Sequence, residues 1–577
     1  MNRKVSDILF VLFLFTGMIT YLLYSQSFQI ILSGQVGYFL ATIDFFTSFL
    51  SRIQGIVDYI ASFLIQFYVI RYFGIGVLAG VAFLLGLLIN YLLKPFTGSR
   101  YRIPLSFLYS TAFVWSLHSF SDYPLSKDLA LLISFLFCYF YIRLSRKRIR
   151  ILFGYFLACV LWYICKEAAF VVCLYMLIYE YLKGGRNYSY LISLCFLFVF
   201  SALLTTLLLR YRFPMNEVIV AEWESAWYPW YIVYMTSFVG CLFLLRCLRR
   251  YFFAASGYLL LVVYACCLNT NRSREFEMKL FYLMQQGDWD ELLSSIGDVK
   301  RLNSRTLNYY YMALAQTGQL SNTLFRDGFP YSKSLISAGE QSYVSKTRLS
   351  DIYWNLGCFR ASQVFSTEAM SMLDTGVNLY HLKRLAMIHL IYRENDLAIK
   401  LLRILKKTVM HNRWAVDLLN RMKHDPDLEQ VDWIIRFRKM LPPYGFQIGM
   451  NRALENLTNL SIQLPLETLA LEYAWNLALL EKKIDWVERM VRYKLDLSPS
   501  SEIPILCQEG ILIYERENKI SEDRKLKIKY DEGVLARFKA YCVSGKRPIN
   551  TISDYWIVKN NYKSSYFYYY ESVDVHK

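Results

Sequence analysis

The chain has 577 residues, of which 55% are hydrophobic and 17% aromatic, and it carries a formal net charge of +18 at pH 7. The apolar residues gather in the first 268 positions as long runs nearly free of charge, a pattern that belongs to lipid and excludes a purely water-soluble core. Residues 1–268 hold 21 Lys and Arg against 10 Asp and Glu and the remainder 43 against 36, with no basic run interleaved with aromatics, which argues against a nucleic-acid partner.

In chain order, the first apolar run, Ile8 to Tyr24, follows Asn2-Arg3-Lys4 and reads as an uncleaved first span, because no small-residue cleavage pattern follows it. Further spans are predicted at Tyr72 to Leu93, Pro104 to Phe120, Tyr123 to Ile142, Ile151 to Cys165, Ala168 to Leu182, Tyr188 to Leu209, Tyr228 to Leu245 and Tyr251 to Leu268. The segment between the first two, residues 25–71, is long and broken by polar residues. It is expected to form helices lying along the membrane interface, with Phe45, Phe46, Phe49, Tyr59 and Phe63 toward lipid. With the amino terminus in the cytoplasm, nine spans place 15 basic residues in cytoplasmic loops and six on the opposite side. Residues Ile151 to Leu182 read either as one long helix interrupted at Lys166-Glu167 or as two short ones. Only the two-segment reading preserves this charge bias, and it sends the carboxyl half out of the cytoplasm.

Eight of the ten acidic residues before position 269 then fall on that outer side, at least one in every outer loop. Charge near hydrocarbon is costly unless paired or wetted, so such residues are functional candidates. Asp44 and Asp58 in the first outer loop, Asp122 in the second and Glu167 in the third are the expected catalytic acids, able to act as a base or to hold a divalent metal against phosphate. Local partners are expected in Lys127 with Asp128, Lys166 with Glu167, and His118 with Asp122. The fourth outer loop offers Arg210 and Arg212 for a phosphate and Trp223 for stacking on a sugar. Nothing in the sequence designates a cofactor, and the metal requirement stays open.

Nine of the twelve cysteines lie in apolar segments, and Cys358, Cys507 and Cys542 match neither a disulfide framework nor a zinc spacing. From Asn269 the apolar period is helical, so the fold class is all-α: a polytopic membrane domain followed by an α-solenoid-like repeat domain over 269–425 and a further helical region over 426–577. Turns are predicted at Gly287-Asp288-Trp289, Thr317-Gly318-Gln319, Leu356-Gly357-Cys358-Phe359 and Glu394-Asn395-Asp396. Trp354, Leu356, Gly357 and Phe359 followed by Ala361, Phe365 and Ala369 resemble a tetratricopeptide repeat, whose concave face would receive a protein partner.

Taken whole, the chain resembles an uncharacterised family of multi-spanning membrane proteins from Bacteroidales. The resemblance is carried by Tyr59 to Phe67 with Gly74, by Gly287 to Asp290 and by Met312 to Leu320. In layout it is also similar to C-type-fold glycosyltransferases, which take lipid-linked donors outside the cytoplasm. That likeness implies a catalytic acid in the long first outer loop, a lipid-linked sugar as substrate and a tetratricopeptide-like carboxyl-terminal domain. The paired acids usual just after the first span in those enzymes are missing, since Asp44 and Asp58 stand alone. The competing expectation is a non-catalytic membrane scaffold whose helical domain recruits envelope proteins.

Overall fold

A computed structural model of the protein describes residues 3–96, 102–120, 122–182, 225–248, 272–297, 302–325, 341–373, 376–441, 452–463, 469–544 and 565–572, with scattered positions between. Among the described residues the regular structure is helical and no strand occurs. The chain divides into two units, Met1–Glu275 with Lys407–Asn412, and Phe276–Lys406 with Arg413–Lys577.

The first unit contains α1 (Arg3–Ser25), α2 (Ser27–Val36), α3 (Ile43–Leu50), α4 (Gly55–Ile65), α5 (Arg71–Leu92), α6 (Arg102–Leu117), α7 (Leu125–Arg143), α8 (Lys147–Cys165), α9 (Ala169–Leu182) and α10 (Tyr228–Leu248). Its core is a continuous apolar cluster to which α1 gives Met18 and Leu22, α5 Leu78 and Leu85, α6 Phe113 and α7 Leu131 and Phe135. The opposite faces of α1, α5 and α8 leave Leu12, Phe13, Leu84, Leu87, Leu152 and Phe156 exposed, as helices facing lipid do.

Four helical segments among the described residues are long and apolar enough to cross a membrane: Val5–Ser25, Tyr72–Leu92, Leu125–Arg143 and Lys147–Tyr181. This corrects the expectation of nine. The run predicted at Pro104 to Phe120 forms only the 16 residues of α6, nearly all buried. The hydroxyls of Ser106, Ser110, Thr111 and Ser116 donate to carbonyls three or four residues earlier, so α6 hides its polar groups and packs in the bundle interior. The runs at Tyr188 to Leu209 and Tyr251 to Leu268 lie largely outside the described residues.

The 35-residue segment Lys147–Tyr181 is not one rod. At Lys166 the backbone turns through φ 50, ψ −126, and a short 3-10 turn, Lys166–Ala168, separates α8 from α9. Arg150 Nε lies 2.6 Å from Glu180 Oε1 although they are 30 positions apart in the chain, whereas a straight helix would hold them about 45 Å apart. The two helices therefore fold back on each other, with Tyr141 of α7 also donating to Glu180.

The segment between α1 and α5 is helical, as expected. Thr42 caps α3 by accepting from the Phe45 amide, and a tight turn leads into α4. A side chain at Gly55 would fall 1.8 Å from the Phe49 carbonyl oxygen, so only glycine permits this approach. The aromatic residues do not each face outward. Phe39, Phe45, Phe49, Tyr59 and Phe63 pack edge to face with centroids 4.9–6.2 Å apart, leaving Phe46 and Phe63 partly exposed.

In the second unit, consecutive helices pack as antiparallel neighbours. After α11 (Arg272–Gln286), the pairs include α12 (Trp289–Ser294) with α13 (Ser304–Gln316), α13 with α14 (Leu320–Thr323), α15 (Tyr343–Asn355) with α16 (Phe359–Ser371) and α17 (Leu379–Ile391) with α18 (Asn395–Leu405). Gly287, Gly318 and Gly357 take left-handed backbone at three of the turns predicted from sequence, and Arg393 does so just before the fourth, Glu394-Asn395-Asp396. Asp288, Asn303, Ser342 and Asn378 cap the helices that follow them through their side-chain oxygens. Ala361 and Ala369 are fully buried where α16 meets its neighbours, and Ser350 bonds Ser362 and Ser366 across the α15–α16 contact. Farther along lie α19 (Asn412–Arg421), α20 (Asp432–Arg438), α21 (Ala453–Gln463), α22 (Leu469–Leu480), α23 (Ile484–Leu497), α24 (Ile505–Glu517) and α25 (Glu532–Ser544). The aromatic tail forms α26 (Tyr566–Ser572). It docks on α24 through the Tyr566 amide, which donates to Glu509, and on α22 through Tyr569, whose hydroxyl donates to Leu480.

Candidate functional site

The carboxyl ends of α6 and α8 and the amino ends of α4, α7 and α9 bring their charged residues to one end of the first unit. Asp44, Asp58 and Asp128 each occupy the first turn of a helix, α3, α4 and α7, where the aligned peptide dipoles favour a carboxylate. This local preference explains their positions in the chain. It does not explain what they meet.

Lys127, the third residue of α7, is only 1% exposed, and its ammonium lies 3.1 Å from Glu167 Oε2 and 3.4 Å from Gln54 Oε1. Gln54 in turn donates to Asp58 Oδ1 at 3.1 Å. Lys166 approaches the other Glu167 oxygen at 3.3 Å. One chain of polar contacts thus runs from Asp58 through Gln54 and Lys127 to Glu167 and Lys166, joining α4, α7 and the α8–α9 break. Such burial is tolerable because Lys127 and Lys166 both face Glu167 and the Asp58 carboxylate accepts from the Gln54 amide. Two of its members, Gln54 (φ 64) and Lys166 (φ 50), hold left-handed backbone without being glycine. Backbone of this kind persists where the surroundings over-determine it, often at functional sites. The Gln54 amide donates to the Tyr163 carbonyl at 2.8 Å and the Tyr163 hydroxyl donates to the Leu50 carbonyl, so α8 clamps the turn that carries Gln54.

Beside this chain, Asp128 is fully buried. Its Oδ2 lies 2.6 Å from His118 Nε2, and its Oδ1 accepts from the Tyr123 hydroxyl at 2.8 Å. Burial, with Asp128 next to it, pushes the Tyr123 phenol well above the usual range. Tyr68, buried with its hydroxyl unpartnered, is raised by the same two causes. A histidine held by a buried carboxylate can accept and return protons, and the neighbouring lysines can neutralise an anion.

Of the predicted acids, Asp58 and Glu167 enter the connected cluster. Asp44 is exposed on α3 and Asp122 is exposed in the α6–α7 turn, and neither is joined to it by a described contact. His118 pairs with Asp128 rather than with Asp122, and Lys127 pairs with Glu167 rather than with Asp128. Lys166 does meet Glu167, as expected. Gln54 and Asp128 are members that the sequence reading did not single out as site residues. Arg210, Arg212 and Trp223 lie outside the described residues. Among the described residues no group of three or more His, Cys, Asp or Glu side chains is gathered as a metal site.

Comparison with curated proteins and with solved structures gives no match. The sequence model of DUF6057, described as a family of unknown function, matches residues 2–572, and the chain belongs to that family.

Proposed function

We propose that the protein is an integral membrane enzyme that transfers a sugar from a lipid-linked donor at the end of the bundle where the charged cluster sits. The supporting observation is convergence: three separate segments deliver Asp58, Lys127, Lys166 and Glu167 into one connected and largely buried network. In this reading Asp58, half-buried and so reachable, takes the proton from the acceptor hydroxyl. Gln54 and Lys127 orient it. Arg52, exposed one turn before Asp58, and the Arg210 and Arg212 pair grip the donor phosphate, and Trp223 stacks on the sugar. Basic residues crowd the turns at the opposite end of α7 and α8, and the positive-inside bias supports reading the cluster as extracytoplasmic. The long helical first loop and helical carboxyl half match the layout of C-type-fold glycosyltransferases, and the helix pairs of the second unit fit a repeat-like arm.

The test compares envelope lipids and glycans, by mass spectrometry, in native-host cells carrying either the wild-type chain or Asp58→Asn as sole copy. The reading expects the variant to accumulate a lipid-linked sugar and to lose a glycan addition. A wild-type profile in cells that contain normal amounts of the variant contradicts it.

A further inference from the structure

The second unit holds a cavity of about 590 Å³ between α11, α15, α17 and α20, within the range of sites that take small ligands or a short peptide end. Its most constrained side chain is Arg384. The guanidinium lies over the Trp354 ring, 4.3 Å from its centroid, so that one face is covered. Its Nη2 donates to Asp351 Oδ1 at 2.8 Å and to the Tyr380 hydroxyl at 2.7 Å. Its Nη1 is buried and has no hydrogen-bond partner, although the side chain as a whole is only 11% exposed. Buried donors almost always find an acceptor, and a cationic one most of all.

Asp351 does not satisfy that donor, because its carboxylate is engaged by Nη2, by Tyr380 and, on the other oxygen, by Gln285. Arg436 stands at the exposed rim, leaning on Phe437. Two arginines against one aspartate leave the lining with one excess positive charge, while Trp354, Phe437 and Trp289 supply apolar walls. An anionic acceptor with an apolar body is the ligand that fits this lining best.

We propose that this cavity binds a carboxylate borne on an apolar or aromatic group, held by Arg384 Nη1 and Arg436 with its body against Trp354 and Phe437. The inference is independent of the membrane-end cluster. A polypeptide carboxyl terminus and a small aromatic acid share this chemistry.

The experiment uses the full chain in detergent micelles and a fluorescein-labelled Ala-Ala-Ala-Phe peptide, as the free acid and as the carboxyl amide, read by fluorescence anisotropy. Saturable binding of the acid, at least tenfold tighter than the amide, is expected. Arg436→Gln, on the rim and outside the buried pair, weakens the acid several-fold and leaves the amide unchanged. Arg384→Lys, which keeps the charge but loses the forked donor, does the same. Displacement by phenylacetate assigns the site to small acids, and its failure to displace assigns it to a polypeptide end. Equal affinity for acid and amide, unchanged binding in both variants, or no binding of the acid up to millimolar concentration overturns the proposal.

Discussion

Glu167 faces two ammonium groups, whereas Lys127 shares its partner with Lys166, and this asymmetry has a measurable consequence. Removing the carboxylate takes the shared anion from two buried cations at once, while removing Lys127 leaves Glu167 still paired with Lys166. Breaking a buried pair by deleting one partner costs about 3–5 kcal/mol, so Glu167→Gln is expected to approach that loss and Lys127→Met to cost about half as much. Thermal unfolding of the two variants in the same detergent checks the order; equal losses would mean that the lysines do not share the carboxylate. In the second unit, His381 is fully buried, with Nε2 2.9 Å from the Thr347 hydroxyl and Nδ1 unpartnered. Burial, and then the nearby Arg384, push its pKa down to about 3. A depressed histidine contributes stability above its unfolded pKa of about 6.5 and loses it as pH falls toward the folded value. Between pH 7 and pH 5 the loss is about 2 kcal/mol, and His381→Gln should flatten the unfolding curve over that interval. An unchanged acid slope in the variant would show that other groups carry it.

At the scale of helices, the close crossing of α5 and α6 depends on Gly86. A side-chain carbon there would meet Phe107 Cδ1 at 2.5 Å and Ser110 Oγ at 2.9 Å. Gly86→Ala is expected to cost about 1–3 kcal/mol through overpacking, seen as a lower unfolding midpoint in detergent. A neutral result would mean that the Phe107 ring yields freely. Helix ends in the second unit were largely legible in the sequence, because a left-handed glycine and a capping Asp or Asn act locally and announce themselves in a few residues. The break at Lys166-Glu167 was legible for the same reason, as a charged pair inside an apolar run. The partners in the cluster were not. Reading Lys127 with Asp128 overlooked that adjacent helical residues point about 100° apart and do not face each other, so each turned to a different neighbour, Glu167 and His118. Helical geometry could have rejected the first pairing. Only tertiary packing could supply the second, which closes a loop of 40 residues between Lys127 and Glu167. The run read at Pro104 to Phe120 folds as the 16 buried residues of α6, which the sequence could not foretell because an apolar run reads alike whether it meets lipid or the inside of a bundle.

On the scale of the whole molecule, a helical unit with an acid-bearing cluster at one end and a basic turn at the other is followed by a second unit of paired helices. What gives the cluster a substrate class is the side of the membrane on which it lies, and that rests on the crowding of Arg143, Arg146, Lys147, Arg148 and Arg150 around the α7–α8 turn. Asp122 is exposed in the α6–α7 turn next to the cluster, and Arg148 is exposed at the other end of α7. The direct measurement replaces each by cysteine and reacts intact cells with a membrane-impermeant maleimide, with the unsubstituted chain as background. The account predicts labelling at Asp122→Cys in intact cells and at Arg148→Cys only after the membrane is opened. Labelling at Arg148→Cys alone would contradict it.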